Sequence, residues 1–284
     1  AVVLWGKNCA ETGPHLLPFV REAKQRGCEV VYIDIRPTET TRYATQVLTI
    51  RPGSDGILAR GILRRIDERH QLDQAALGRC QPDSREAFLQ ILREPKGSAA
   101  QCAAQAGISL EQLDRVADLY IRWQPVGTWI GWGLQRRVQG ALNMRWIDAL
   151  CALSGNIGLP GGGANYSTSR RRGLDASRMA NLSARSVAAH DFGAQLAALN
   201  DPPLAFAYIN GANPVTQHPD SQAVASALRQ LPFVVVADAF LTDTARCADL
   251  ILPVTLLLED EPDWVGSFAH HHIARVSPAV TPPE

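Results

Sequence analysis

The feature that most constrains this chain is a long-range repeat. Residues 30–48 read VVYIDIRPTETTRYATQVL, and residues 234–252 read VVVADAFLTDTARCADLIL. At one constant offset the copies share Val30/Val234, Val31/Val235, Asp34/Asp238, Thr38/Thr242, Thr40/Thr244, Arg42/Arg246, Ala44/Ala248 and Leu48/Leu252, and Glu39 matches Asp243 in charge. Ahead of each copy stands an apolar run ending in G-x-N, VVLWGKN at 2–8 and FAYINGAN at 206–213, with Pro14 and Pro219 following at matching distance. A turn, a helix and an acid-tipped second strand do not recur with their polar residues in step by accident. Self-similarity of this kind has to be found before single elements are assigned. It reads as a duplicated nucleotide-binding half.

The pattern between the copies agrees. Short apolar runs at 1–5, 29–33, 47–50 and 126–132 read as buried parallel strands. Helical spacing covers 15–26, 57–69, most of 71–123 and 141–153, with Ser109 and Gln112 forming a capping box. The second half repeats the alternation with helices at 191–199 and 221–231 and strands ending at Ile209, Ala237 and Leu252. From Glu259 onward the pattern weakens and reads as peripheral. Strands alternating with helices predict an α/β fold of two pseudo-repeated, doubly wound Rossmann-like domains with mainly parallel sheets. The expected domains are residues 1–165 and 166–284, the second incomplete. Ligands in such folds bind at the carboxyl edge of the sheet, where strand order reverses.

Bulk properties narrow the classes. Lysine and arginine total 28 against 28 acids, so no global charge steers the chain to nucleic acid or an acidic membrane. No apolar run approaches the ~20 residues of a membrane helix. The sequence opens inside a buried strand and reads as a piece of a longer protein. The six cysteines include no C-x-x-C and no zinc-finger spacing, which leaves buried free thiols and favours a reducing, cytoplasmic setting over a periplasmic one.

Gly6 and Gly211 suit tight turns with close backbone approach. The amides of Asn8 and Asn213 can donate to one group and accept from another. A helix opening after such a turn would attract phosphate. Asp34 and Asp238, at the tips of second strands, suit ribose hydroxyls or the N–H edge of guanine. Asp55 in RPGSDG is a weaker candidate, and Thr38 and Thr242 suit helix capping. A G-x-G-x-x-G fingerprint is absent, which disfavours a nicotinamide dehydrogenase. His270, His271 and His272 diverge in direction and read as solvated rather than metal-binding. Arg170, Arg171 and Arg172 read either as a solvated run or as polyanion contacts.

These segments, WGKNCAETGPH, GCEVVYIDIRPTETTRYAT with IRPGSDG, ALCALSGNIGLPGGG, and YINGANPVTQHPD with VVVADAFLTDTARCADLILP, resemble the molybdopterin oxidoreductases. That family includes formate dehydrogenases, nitrate reductases and sulfoxide reductases. The resemblance implies two α/β domains, each holding one limb of a bis-molybdopterin guanine dinucleotide carrying molybdenum or tungsten. By position it implies one socket of Gly6, Asn8, Glu11, Thr12, Asp34, Arg36, Thr38, Gly53 and Asp55. The other would comprise Gly211, Asn213, Pro214, Asp238, Thr242 and Thr244. It further implies a metal ligand and any [4Fe–4S] cysteines upstream of this chain, a small-molecule redox substrate, and an electron-transfer partner. Thr168 stands where formate dehydrogenases carry an arginine, with Arg170 two residues on. The alternative is a non-catalytic iron–sulfur subunit like the large subunit of NADH dehydrogenase, and retention of Asn8, Asp34, Asn213 and Asp238 favours the cofactor-binding reading.

Overall fold

A computed structural model describes residues 1–166, 185–256, 258–259, 264–266, 273–275 and 277–282. The chain divides into two compact units, Ala1–Thr168 and Ser169–Glu284. The triple histidine, the Arg170–Arg172 run and Thr168 lie outside the described residues.

Unit 1 contains strands β1 (Val2–Trp5), β2 (Val30–Asp34), β3 (Gln46–Thr49), β4 (Gly127–Ile130) and β5 (Gly163–Asn165). They form one sheet in the order β3-β2-β1-β4-β5, parallel throughout. Helices α1 (Cys9–Thr12) and α2 (Leu17–Gln25) cross over between β1 and β2. The long connection from β3 to β4 carries α3 (Asp55–Glu68), α4 (Gln74–Arg79), α5 (Pro82–Leu92), α6 (Ala99–Ala106) and α7 (Leu110–Arg122), and α8 (Gly140–Leu153) joins β4 to β5. Side chains of a strand alternate between faces. Leu4, Val30 and Tyr32 therefore pack with Cys9 and Val20 on one side, while Val3, Trp5, Val31, Ile33 and Leu48 pack under α3, α6, α7 and α8 on the other. Burial on both faces is why these strands read as unbroken apolar runs.

Asn156, in the S-G-N-I-G turn after α8, is wholly buried. Its Oδ1 accepts from Val126 N at 2.8 Å, and its Nδ2 donates to Tyr120 O at 3.1 Å and Ser154 Oγ at 2.9 Å. One amide thus pins the end of α7, the entry to β4 and the exit of α8. Asn156→Ala leaves buried groups unpaired and is expected to cost about 2 kcal/mol in urea unfolding.

Unit 2 holds β6 (Ala207–Asn210), β7 (Val234–Asp238) and β8 (Leu250–Pro253) in a parallel sheet of that order. Its helices are α9 (Phe192–Ala197), α10 (Pro214–Gln217) and α11 (Ser221–Arg229), and a short antiparallel pair, β9 (Trp264–Gly266) with β10 (Ile273–Arg275), follows. The registers coincide with unit 1. Trp5 pairs with Ile33 as Asn210 pairs with Ala237, and Asp34 pairs with Thr49 as Asp238 pairs with Pro253. The covers differ. Val234 and Val236 are buried on the face equivalent to that under α1 and α2; on the opposite face the central strand is also covered, with Val235 5% and Ala237 2% exposed, but the flanking strands are open. Leu48 is 0% exposed where its counterpart Leu252 is 41%, and Val3 is 0% where Tyr208 is 55%. Among the described residues nothing in unit 2 takes the place of α3 and α8.

Candidate functional site

In unit 1 the strand order reverses between β1 and β4, so the crevice expected of such a sheet opens at their carboxyl ends. Three turns meet there. Gly6 follows β1 with φ +57° and donates its N–H to Ile33 O at 2.7 Å. β2 ends at Asp34, and Arg36 follows in the turn beyond it. The turn after β4, 131–139, begins with Gly131, whose N–H donates to Trp5 O at 2.8 Å. That last turn has no counterpart in the repeated pattern, and sequence reasoning passed over it. It brings Arg136 and Arg137 to the same edge as Lys7 and Arg36. None of these four cations makes a salt bridge among the described residues, although the charge of Arg137 is felt at the Asp55 carboxyl. An edge lined with unpaired guanidinium and ammonium groups suits phosphate.

The helix expected to receive phosphate after Gly6 is only one turn long, Cys9–Thr12, and leads through a 3-10 turn into α2. Its dipole is correspondingly small, so anion attraction here falls to the cations and turn N–H groups. Glu11 and Thr12 are exposed, and the Thr12 hydroxyl donates to Asn8 O at 2.8 Å. Burial pushes the Cys9 thiol above its ordinary range, with Lys7 opposing, so it is a poor nucleophile.

Asp34 stands half-buried at the tip of β2. Its Oδ1 accepts from Ile35 N at 2.7 Å and its Oδ2 from Tyr32 Oη at 2.6 Å. A carboxylate offers about four acceptor sites, so both oxygens retain capacity. Thr38 caps the turn beyond it, accepting from Thr40 N at 3.2 Å. Gly53 makes the turn before α3 with φ +84°. Asp55 faces inward: it is 6% exposed, and its Oδ1 accepts from Trp5 Nε1 at 3.0 Å. Burial raises its carboxyl, against the Trp5 bond, its own backbone N–H and Arg137, while Asp34 adds to the rise. It supports the edge from beneath.

Unit 2 repeats the edge in reduced form. Gly211 has φ +59°, and its N–H donates to Ala237 O at 3.2 Å. Asp238 Oδ1 accepts from Phe240 N at 3.0 Å. Thr242 Oγ1 accepts from Ala245 N at 3.1 Å, the capping role its spacing suggested. Pro214 and Thr244 are buried and stand behind the edge rather than on it. A cleft of about 280 Å³ lined by Asp67, His70, Arg85 and Arg93 lies at the other end of α3 from the unit 1 edge.

Residues 1–283 match the molybdopterin oxidoreductase family. The chain belongs to that family. A probable oxidoreductase of Bacillus subtilis, YyaE, is 30% identical over 96% of this chain and 41% of its own length. The assimilatory nitrate reductase catalytic subunit of Bacillus subtilis and formate dehydrogenase H of Escherichia coli are each 26% identical over 92% of the chain and 40% of their own lengths. The chain therefore spans about two fifths of these relatives. Acetylene hydratase from Pelobacter acetylenicus superposes with TM-score 0.77 at 17% identity over 99% of this chain and 44% of its own, a likeness of fold. Members of the molybdopterin oxidoreductase family are oxidoreductases with a molybdenum or tungsten pterin cofactor. Among the described residues no cluster of His, Cys, Asp and Glu could hold a metal ion, and no helix is long and apolar enough to cross a membrane.

Proposed function

We propose that the chain supplies the two sockets for the guanine dinucleotide tails of a bis-molybdopterin cofactor in a larger oxidoreductase. The observation that carries this reading is the coincidence of two glycine turns at φ +57° and +59° with two acid-tipped strands in matching register. In unit 1, Lys7, Arg36, Arg136 and Arg137 would neutralise a diphosphate, and Asp34 would accept from ribose hydroxyls or a guanine edge. In unit 2, Asp238 and the Gly211 turn would do the same for the second tail. Bound, the cofactor supplies two-electron chemistry at molybdenum or tungsten. The protein's share is to bind, orient and shield. Upstream [4Fe–4S] cysteines and an electron-transfer partner complete the proposal for the intact protein. The exposed flanks of the unit 2 sheet, at Tyr208, Leu250 and Leu252, support the reading that further chain of a longer polypeptide covers it. The three sequence relatives named above are an oxidoreductase, a nitrate reductase and a formate dehydrogenase, and none of the three is an NADH dehydrogenase subunit.

The test is composition of the purified full polypeptide containing these residues. Acid hydrolysis should release two guanine nucleotides per molybdenum or tungsten atom, and Asp238→Asn should lower the guanine and metal content per polypeptide together. Metal bound without guanine would overturn the dinucleotide reading.

A further inference from the structure

Both G-x-N asparagines are held by a threonine far along the chain. Thr40 Oγ1 donates to Asn8 Oδ1 at 2.8 Å and accepts from Ala10 N at 3.0 Å. Thr244 Oγ1 donates to Asn213 Oδ1 at 2.6 Å and accepts from Val215 N at 3.1 Å. Thr244 N also donates to Asn213 Oδ1 at 3.3 Å, which fixes the oxygen, not the nitrogen, on that side of the amide. Both threonines are 0% exposed. Ala10 and Val215 sit in the first turns of one-turn helices, where backbone N–H groups have no intrahelical acceptor. Each threonine thus satisfies an orphan donor and spends its own proton on the asparagine.

The geometry assigns Thr40 and Thr244 as a matched pair of positioning residues that orient the socket asparagines as donors. With Oδ1 committed inward, Asn8 Nδ2 has no partner among the described residues and is not among the buried unpaired atoms, so it keeps contact with solvent. Asn213 Nδ2 gives one proton to Thr216 Oγ1 at 3.0 Å and keeps a second. A donor at the glycine turn selects an acceptor, and beside unpaired cations that acceptor is a phosphate oxygen of the dinucleotide. The threonine also ties the turn after the first strand to the turn after the second, so phosphate and ribose contacts move as one body. This inference rests on the dinucleotide reading above and adds which atoms fix it.

Two measurements on the full 284-residue chain test it, with GDP as the probe. Thr40→Val should speed amide exchange at Ala10 by about ten-fold and weaken GDP binding by about ten-fold, while Thr40→Ser preserves both. Thr244→Val should do the same at Val215. Circular dichroism identifies any variant that fails to fold, and the serine forms then carry the comparison with wild type. Faster exchange with undiminished GDP affinity would reduce the bond to scaffolding and overturn the proposal. A wild-type chain that binds no GDP would defeat the dinucleotide reading instead. The latch would then be judged on exchange alone, where an unchanged rate at Ala10 in Thr40→Val overturns it.

Discussion

Gly131→Ala is expected to destabilise unit 1 by more than about 4 kcal/mol, beyond the ordinary range for overpacking. The backbone at Gly131 is extended, with φ −81°, so glycine is not there for its torsional freedom. It is there for space. A Cβ at this position would overlap the carbonyl oxygen of Gly6 and come within 3.2 Å of Lys7 N. Both obstacles are backbone and cannot swing aside as a side chain would. The N–H of Gly131 donates to Trp5 O at 2.8 Å, so the two turns are already as close as the sheet can bring them. Separating them breaks that bond and shifts the reversal point on which Lys7, Arg136 and Arg137 depend. Thermal unfolding and GDP binding should therefore fail together. A melting temperature within a few degrees of wild type would show that the turn has slack.

How much of this edge could be read from the chain depended on the distance over which each signal acts. Asp34 and Asp238 were legible because an acid ending an otherwise apolar five-residue strand, twice, has few structural meanings, and both stand at strand tips. Gly6 and Gly211 were legible for the same reason. Asn8 was identified, but its committed partner was not, since Thr40 lies 32 residues away and a buried threonine after a strand looks like any cap. The turn at 131–139 was invisible as a site because strand order is not written locally. Only placement of β4 beside β1, after a helical connection of some length, puts the turn carrying Arg136 and Arg137 at the same sheet edge as those carrying Lys7 and Arg36. The burial of Asp55 was not readable either: the carboxylate in its glycine-punctuated turn accepts from the indole at the end of β1 and is 6% exposed. The exposed edge of the unit 2 sheet was likewise unreadable, because Leu250 and Leu252 are as apolar as residues that are covered.

That indole supports the second large effect. Trp5→Phe is expected to cost about 3 kcal/mol near pH 7, combining loss of a hydrogen bond to a charged group with a small cavity. The cost should depend on pH in a definite direction. Burial holds the Asp55 carboxyl above its ordinary range in the folded protein, and the Trp5 bond is the largest influence pulling it back. A carboxyl raised on folding binds its proton more tightly in the native state. Its stabilising contribution is complete below the unfolded value and is lost as pH rises toward the folded one. Removing the indole N–H raises the folded value further, so the variant loses more over that climb than wild type does. The gap between them should be widest near neutrality and shrink toward about pH 4, where Asp55 is increasingly protonated and the packing defect remains. In an Asp55→Asn background the carboxylate is gone, and Trp5→Phe should show one cost at both pH values. Urea unfolding of the four proteins at the two pH values measures this directly. A penalty for Trp5→Phe that is the same at both pH values would mean that the indole packs against Asp55 without holding its charge.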